Sequence, residues 1–309
     1  MKKRNNNHVH IASKQGLAAL LLVFLMLSVL VFLTGWEEKT AYEEHEFFLR
    51  NDRGTYTFCE LVMPVTEEPC PLVFMAHGFK GTRNSGGAEE LSKRLAEEGI
   101  AAVRIDFNSR KNDEKMSPKT GEYTLYNMTA DGVMTIHYVL EHYNVDPDRI
   151  GIHGRSMGGR VAMMMGNESE GGIDYKALSL VAPAGNASAM VYYMGGQEQW
   201  EHMKVIAKEN GYCEKQDLKL SSAWFEEFEA YNPAKTGYKF GQKPVLVYYN
   251  TLDHVVLPET SLECAAGYEN AEVIEVTTED GHGYEMGFET SELKDQIMDK
   301  IVTFFVANL

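Results

Sequence analysis

The chain has 309 residues, 44% hydrophobic and 24% charged, which excludes wholesale disorder and suffices for one large α/β domain or two smaller ones. The formal net charge is −16. The first 35 residues hold four of the 29 basic groups and no acidic group, so residues 36–309 carry 25 basic and 45 acidic groups, a net charge of −20. A domain this acidic does not bind nucleic acid through phosphate contacts, and it repels polyanionic substrates.

The N-terminal region combines a basic segment, residues 1–16, with an unbroken apolar or weakly polar run over 17–34. A helix of that length spans about 27 Å at about 1.5 Å per residue, close to the hydrocarbon thickness of a bilayer. We predict a basic cytoplasmic tail over 1–16 and a transmembrane anchor over 17–35, with Trp36 at the interface and the remainder of this single-pass protein outside the cytoplasm. A cleaved signal peptide, leaving a secreted protein, is the alternative, although its apolar stretch is usually only about 7–15 residues long.

Residues 36–54 are acidic and aromatic and are predicted to form a tether to a domain over 55–309. Apolar runs bounded by turn residues predict strands, and apolar positions three or four apart predict helices. The predicted strands are 55–63, 71–76, 100–105, 149–153, 177–182, 243–249 and 272–277, and the predicted helices are 88–98, 129–143, 157–165, 259–268 and 292–305. Their alternation predicts an α/β fold, a mostly parallel, doubly wound sheet with helices on both faces.

One segment, 186–235, interrupts this alternation and is too long for a simple crossover between strands. It contains eight aromatic residues: Tyr192, Tyr193, Trp200, Tyr212, Trp224, Phe225, Phe228 and Tyr231. An insertion of this kind in an α/β enzyme is typical of a cap over the active site, so we predict a cap insertion over 186–235.

The four cysteines are Cys59, Cys70, Cys213 and Cys264. None forms a C-x-x-C pair, and no cluster of cysteine and histidine has the spacing of a zinc site, so no metal is predicted. Cys59 and Cys70 flank a predicted turn. Pairing of these two and burial as separate thiols are both consistent with the sequence.

A glycine-flanked serine lies where a predicted strand gives way to a helix. The segment Gly154-Arg155-Ser156-Met157-Gly158 fits the pattern G-x-S-x-G, with the strand before it and the helix after it that this motif requires. Glycines two positions before and after the serine permit a strained, sharp turn. Ser156 is therefore the predicted catalytic nucleophile, and a glycine-rich turn without chemistry is the alternative.

An activated serine needs a base, and the base needs a carboxylate to orient it. His202, His254 and His282 are the histidines that follow Ser156. His202 lies inside the insertion, and His254 is interpreted as a residue at the rim of the site. His282 lies in a glycine-containing loop after a late strand, where the base belongs in the chain order serine, acid, histidine, so it is the predicted base.

Asp253 is the predicted acid because it lies in the loop after the preceding strand, 29 residues before His282. Asp280 is the rival, but it is only two residues from His282 and suits a turn-forming role.

The oxyanion of an acyl-transfer reaction needs two backbone N–H donors. Met157, directly after the nucleophile, is predicted to supply one. The segment His77-Gly78-Phe79 follows the apolar strand 71–76 directly, and the N–H of Phe79 is predicted to supply the other.

Five segments stand in the order found in one known superfamily: His77-Gly78-Phe79, Ile105-Asp106-Phe107-Asn108, Gly154-Arg155-Ser156-Met157-Gly158-Gly159, Leu180-Val181-Ala182-Pro183-Ala184 and Leu252-Asp253-His254-Val255-Val256. From about Thr55 to the end the chain resembles α/β-hydrolases, and it is similar to capped serine esterases of the cinnamoyl/feruloyl type. The resemblance implies a triad of Ser156, Asp253 and His282, with Phe79 and Met157 as oxyanion donors. Residues 109–113 are charged where such esterases have a glycine-rich turn, and Arg155 stands where many relatives carry histidine.

The combined prediction is a serine carboxylesterase that acts on a small-molecule ester, needs no cofactor, binds no nucleic acid and is attached to the membrane by its N-terminal helix. A serine peptidase or acyltransferase on the same fold is an alternative, and a surface binding protein without turnover is another. The sequence leaves the oligomeric state open.

Overall fold

The computed structural model of the chain describes residues 39–107, 123–279, 281–283 and 292–309. The predicted tail and anchor lie outside these residues, as does Asp280. Within the described ranges, no helix combines the length and the apolar character that crossing a membrane requires.

The described elements alternate along the chain much as the sequence predicts. The strands are β1 (Tyr42–Arg50), β2 (Tyr56–Pro64), β3 (Cys70–Ala76), β4 (Ala101–Ile105), β5 (Val145–Arg155), β6 (Tyr175–Val181), β7 (Cys213–Lys215), β8 (Leu218–Leu220), β9 (Val245–Asn250) and β10 (Ala271–Val276). The helices are α1 (Ala88–Glu97), α2 (Leu125–His142), α3 (Met157–Glu168), α4 (Ala187–Tyr193), α5 (Gln197–Asn210), α6 (Ser222–Ala230), α7 (Pro258–Ala266) and α8 (Glu292–Asn308). Short 3-10 helices cover Ser85–Gly87, Glu170–Gly172, Pro233–Phe240 and Gly281–Gly283.

Eight strands form one sheet in the order β1-β2-β4-β3-β5-β6-β9-β10. β1 and β2 pair antiparallel, as do β2 and β4, and the remaining neighbours pair parallel. This confirms the predicted α/β class and the mostly parallel sheet. Because the carboxyl ends of parallel strands meet at one edge, the loops after β3, β5, β6, β9 and β10 converge there.

The core lies on both faces of this sheet. Successive residues of β3 belong to two different apolar clusters, with Leu72 and Phe74 in one and Val73 and Met75 in the other. All seven residues of β3 are buried. A strand covered on both faces has a continuous apolar sequence, which is why β3 and β4 are readily predicted.

The prediction of a tether over 36–54 is wrong for Tyr42–Arg50, which form the edge strand β1. Three glutamates in this stretch suggested a solvated linker. The structure directs Glu43, Glu44 and Glu46 into solvent, while Leu49 is buried. Charged side chains are common on edge strands, where they discourage pairing with another chain.

Two further elements begin earlier than predicted. Helix α2 starts at Leu125, four residues before the predicted start, because Thr124 caps it by accepting a hydrogen bond from the N–H of Asn127 at 3.3 Å. Strand β5 starts at Val145, ahead of the predicted residue 149.

The insertion between β6 and β9 contains helices α4, α5 and α6 and the small hairpin β7–β8. Trp200, Trp224, Phe225 and Phe228 are buried there, with the Trp200 and Trp224 ring centroids 5.5 Å apart and those of Trp224 and Phe228 4.6 Å apart. These four buried side chains belong to the apolar cluster that also contains Leu72 and Phe74 of β3, so they pack the insertion onto the domain.

All four cysteines are buried free thiols. Burial raises the pKa of Cys59 and of Cys264 to about 12. Cys59 and Cys70 are therefore separate buried thiols and do not form a disulfide bond.

Acid should destabilise the fold through His153, which lies in β5, is 5% exposed and contacts the Ser179 hydroxyl through Nδ1 at 3.1 Å. Burial, reinforced by the charge of Arg155, lowers the pKa of His153 from 6.5 to about 4. Between pH 6.5 and 4 the unfolded chain therefore binds a proton at His153 that the native state does not bind. The stability that the neutral His153 contributes is complete above pH 6.5 and is lost as the pH falls toward 4. We expect His153→Gln to remove about 3 kcal/mol of the pH-dependent change in unfolding free energy over that interval.

The measurement is urea unfolding of wild type and His153→Gln at several pH values between 4 and 8. Parallel curves for the two proteins would contradict the assignment.

Candidate active site

Ser156 lies at the turn between β5 and α3 with φ 56° and ψ −124°. Non-glycine residues rarely adopt a positive φ, and such strain is stored only where the surrounding structure enforces it. The serine is 9% exposed and forms the N-terminal cap position of α3. The N-terminal end of a helix carries a partial positive charge, which favours a developing negative charge nearby.

The flanking glycines allow this turn because no other residue fits. A Cβ on Gly154 would lie 2.4 Å from the carbonyl oxygen of Gly158, and a Cβ on Gly158 would lie 2.2 Å from that of Ala76. Both distances are far inside van der Waals contact. Around Ser156, the main chains of β5, α3 and the end of β3 are therefore in direct contact, with no room for side chains between them.

His282 and Asp253 are brought together from two loops at the same edge of the sheet. The Nδ1 of His282 lies 2.8 Å from Oδ2 of Asp253, whose side chain is 1% exposed. The other carboxylate oxygen accepts hydrogen bonds from the N–H groups of Val255 and Val256 at 2.8 and 3.0 Å. These bonds hold the carboxylate in place. Because Nδ1 of His282 faces Asp253, Nε2 is the imidazole nitrogen that remains to face a substrate.

Ser156 and His282 line one cavity of about 180 Å³. The other described residues in its wall are apolar or aromatic: Phe79, Ala189, Met190, Tyr193, Val255 and Val256. Ala189, Met190 and Tyr193 belong to α4, so the insertion supplies one wall of the cavity. The site suits an uncharged apolar group placed beside the serine hydroxyl.

The loop after β3 lies against Ser156, since a Cβ on Gly78 would be 3.1 Å from the serine Cβ. The N–H of Phe107 donates to Nε2 of His77 at 3.0 Å, so the proton of the neutral ring lies on Nδ1, which donates to the carbonyl of Gly78 at 2.8 Å. Burial lowers the pKa of His77, which keeps the ring neutral. In a trans peptide the C=O and N–H point in opposite directions, so His77 also fixes the direction of the Phe79 N–H.

The two amides predicted as oxyanion donors, those of Phe79 and Met157, belong to this loop and to the first turn of α3. In the part of the chain that the structure describes, neither amide donates a hydrogen bond to another protein group. Two backbone donors without a described protein partner, one directly after Ser156 and one in the loop against it, are the feature that binding of an anionic oxygen requires.

Asn250, at the end of β9, is a residue of the site that the sequence analysis missed. It is fully buried, and its amide donates to the carbonyl oxygens of Thr278 at 2.8 Å and Gly281 at 2.6 Å. Its Oδ1 accepts from the N–H groups of Leu252 and Thr278, each at 3.1 Å. The side chain therefore joins the loop that carries Asp253 to the loop that carries His282, a role no local pattern reveals.

Arg160 fixes the insertion to the helix that follows Ser156. It is fully buried and donates to the carbonyl oxygens of Gly185 and Phe228, each at 2.9 Å, and also to that of Tyr231. Phe228 belongs to the last turn of α6, where the helix dipole is negative and favours a cation. Burial lowers the pKa of Arg160 to about 10, which leaves it charged at neutral pH.

The remaining histidines after Ser156 are not among the described residues that line its cavity. His254 is exposed with its ring against Gly281, where a Cβ would be 3.1 Å from the imidazole, and His202 is exposed on α5. The rival acid Asp280 falls outside the described residues. Among the residues the structure does describe, no group of three or more histidine, cysteine, aspartate or glutamate side chains is arranged to hold a metal ion.

A larger cavity of about 510 Å³ lies elsewhere, against the β1–β2 turn and α2. Its described lining contains no serine, cysteine or histidine. Asp131 within it is already paired with Arg53, whose Nη2 lies 2.5 Å from the carboxylate. The smaller cavity at Ser156 is therefore the better candidate for chemistry.

Comparisons with known proteins agree with this geometry. A family model described as an alpha/beta hydrolase domain matches residues 69–183, which include β3, the turn at Ser156 and β6. A search of curated protein sequences gives no match.

Several solved structures share the fold. Est1E from Butyrivibrio proteoclasticus, solved with ferulic acid bound, superposes with a TM-score of 0.66 at 21% identity, covering 85% of this chain and 98% of that one. An esterase domain from a Rhodothermus marinus protein gives 0.61 at 14% identity, covering 86% and 99%. An esterase from Pyrobaculum calidifontis gives 0.58 at 17% identity, covering 94% and 92%. The chain thus has the α/β-hydrolase fold, and the resemblance predicted from its sequence is confirmed at that level.

Removing the Asn250 side chain should loosen the His282 loop. Asn250→Ala removes the side-chain donor to the carbonyl of Gly281 and one of two donors to the carbonyl of Thr278, which keeps the N–H of Gly281 at 3.1 Å. It also removes the oxygen that accepts from the N–H of Leu252, and a buried polar group left unpaired costs about 1–3 kcal/mol. We expect a loss of about 2–4 kcal/mol in unfolding free energy and faster amide hydrogen exchange over 277–283.

The matched control is Asn270→Ala, which removes an exposed asparagine that donates to the carbonyl of Gln242 at 3.0 Å. This control should change stability by less than about 0.5 kcal/mol. Equal effects of the two substitutions would show that Asn250 does not join the loops.

Proposed function

We propose that the chain is a serine hydrolase that cleaves carboxylic esters through an acyl-enzyme on Ser156. The observation that carries the proposal is that His282, hydrogen-bonded to Asp253 at 2.8 Å, lines the same cavity as Ser156, which is held at φ 56°. A strained serine, a histidine base and a buried orienting carboxylate are the three parts that activate a hydroxyl for attack on a carbonyl.

In the acylation step, the Ser156 oxygen attacks the ester carbonyl carbon, and its proton moves to Nε2 of His282. Asp253 holds the Nδ1 proton of the imidazole, so it selects the reactive tautomer and stabilises the imidazolium that forms. The carbonyl oxygen, now negative, accepts hydrogen bonds from the N–H groups of Phe79 and Met157. His282 then returns the proton to the departing alcohol as the C–O bond breaks.

In the deacylation step, His282 takes a proton from water, and the resulting nucleophile attacks the acyl carbon. The same two amides hold the second oxyanion. Its collapse releases the carboxylic acid and returns the proton to Ser156, so no metal or cofactor takes part in the proposed cycle.

The cavity argues for an uncharged apolar acyl group of modest size. Its volume of about 180 Å³ is below the roughly 300–1,000 Å³ usual for sites that hold drug-sized ligands. His282 is the one ionisable side chain in its described wall apart from the Tyr193 phenol. The solved neighbours include esterases, which supports ester hydrolysis as the reaction. One neighbour has ferulic acid bound, so an ester of an aromatic acid is a reasonable test substrate.

Ser156→Ala is expected to abolish ester turnover, lowering kcat by roughly a million-fold or to the background rate. The measurement is hydrolysis of p-nitrophenyl esters from acetate to long chains, with methyl ferulate and a peptide p-nitroanilide in the same panel. Ser188→Ala is the matched control, because Ser188 is an exposed serine of α4, close to the cavity wall, whose hydroxyl bonds to Asn186.

Wild-type activity that survives in Ser156→Ala would refute the proposal. Cleavage of the anilide at rates similar to the esters would identify a peptidase instead, and transfer of the acyl group to an added alcohol in preference to water would identify an acyltransferase. Folded wild-type protein that turns over no substrate would favour a binding protein.

We also propose that residues 17–35 anchor the protein in a membrane, with residues 36–309 on the extracytoplasmic side. The support is the length of the apolar run and the four cations that precede it. Residues 36–309 carry a net charge of −20 and are repelled by anionic lipid headgroups, so electrostatic attraction would not hold them at a membrane surface.

The full chain should stay in the membrane pellet after washing with alkaline carbonate. Leu25→Arg combined with Leu27→Arg should release it, because each central arginine costs roughly 2.5–3.5 kcal/mol on insertion. The control is Ala18→Ser combined with Ala19→Ser, at the N-terminal end of the apolar run, and this variant should remain in the pellet. A soluble wild-type product that begins near residue 36 by mass would establish cleavage of a signal peptide instead.

A further inference from the structure

Arg155, the residue before Ser156, contacts the loop that carries the proposed base. Its Nη2 donates to the main-chain carbonyl of His282 at 2.9 Å. The side chain is partly buried, and its stem and guanidinium lie against Gly86, where a Cβ would be 2.9 Å from both Cδ and Nη1. Gly86 has φ +68°, so a glycine there both adopts the required turn and leaves room for the arginine.

The carbonyl of His282 is one of two consecutive carbonyls that accept hydrogen bonds from side chains at the ends of strands β9 and β5. Asn250, three residues before Asp253, donates to the carbonyl of Gly281 at 2.6 Å, and Arg155 donates to the next carbonyl. The main chain at His282 is thus bonded to one residue near the proposed acid, Asn250, and to one residue beside the proposed nucleophile, Arg155. Each holding residue is close in sequence to the triad member that His282 must meet.

We propose that Arg155 is a positioning residue that sets the placement of the His282 imidazole relative to Ser156, an inference that rests on the proposed function. Arg155 is covalently joined to Ser156, so the connection from nucleophile to base passes through one side chain and one hydrogen bond. Asp253 fixes the orientation of the imidazole, and Arg155 fixes where the base's main chain lies against the turn at Ser156.

Arginine suits this task better than the other cation. Its guanidinium is planar, keeps its charge across the usable pH range and holds several donors in a rigid fork, whereas lysine offers a flexible point charge. A shift of about 1 Å in a catalytic group can lower a rate roughly 100-fold. Loss of the contact should therefore lower the chemical rate far more than it weakens substrate binding, because Arg155 is absent from the cavity wall described at Ser156.

The experiment compares Arg155→Ala and Arg155→Lys with Arg149→Ala in the full chain. Arg149 is the matched control because it also lies in β5, six residues before Arg155, and is bonded to Asp146 and to the carbonyl of Pro69, away from the His282 loop. For Arg155→Ala we expect a 10- to 100-fold loss in kcat, with KM within about threefold of wild type and the same relative loss in the rate of labelling by a fluorophosphonate. Arg155→Lys should recover part of the rate, and added methylguanidinium should partly rescue Arg155→Ala.

A purely structural role would instead lower the thermal midpoint without rescue by methylguanidinium. Variants of Arg155 that stay folded with wild-type kcat and wild-type labelling rate would overturn the proposal. The control Arg149→Ala should keep the wild-type kcat, and an equal loss there would also overturn it.

A separate readout keeps this inference apart from the proposed function. The His282 Nδ1 proton shared with Asp253 should give a downfield NMR signal in wild type that is weakened in Arg155→Ala and retained in Arg149→Ala. A wild type that cleaves no ester would defeat the proposed function, whereas this signal would still report on the contact. An unchanged signal in Arg155→Ala would defeat the positioning role even in an active enzyme.

Discussion

The close approach of three main-chain segments around Ser156 is the constraint on which the site depends. With Gly154 and Gly158, the ends of β3 and β5 and the start of α3 meet at distances where a single methyl group would overlap a carbonyl oxygen at 2.4 or 2.2 Å. The serine is driven to φ 56° as a result, and it faces the cavity at the carboxyl edge of the sheet. Parallel strands deliver the loops of the proposed acid and base to this same edge, so the strained turn has its partners within reach.

Hydrogen bonds from side chains to main-chain carbonyls help to hold these loops in place. His77 bonds to the carbonyl of Gly78, and Asn250 bonds to those of Thr278 and Gly281. Arg155 bonds to the carbonyl of His282, and Arg160 bonds to two carbonyls of the insertion. A buried carbonyl left without a donor is costly, so each contact opposes displacement of its loop. The contacts restrain the loops that carry Ser156, the imidazole of His282 and the amide of Phe79, which all line one cavity.

Much of the fold was predictable because its strongest signals are local. Fully buried strands such as β3 have continuous apolar sequences, and the glycines around Ser156 reflect a steric demand that sequence records directly. The order in which Ser156, Asp253 and His282 occur follows the chain order of the fold, and the structure brings Ser156 and His282 to one cavity and pairs His282 with Asp253. Their catalytic roles stay a prediction until activity is measured.

The features that escaped the sequence analysis depend on contacts between distant residues. The edge strand β1 resembled a linker because its glutamates point into solvent, and only pairing with β2 makes it a strand. Asn250 resembled an ordinary strand end, and Arg155 was notable only as a departure from related proteins. Arg160 resembled any helical arginine until burial placed it against the carbonyls of the insertion.

The most direct test of the central claim is to identify the residue that becomes covalently modified. A folded sample would be treated with a fluorophosphonate, and the adduct would be located by peptide mass spectrometry in wild type and in His282→Asn. Our account predicts one adduct, on the peptide that contains Ser156, formed far more slowly when His282 is replaced. An adduct on another serine, or labelling of Ser156 at the same rate without His282, would contradict it.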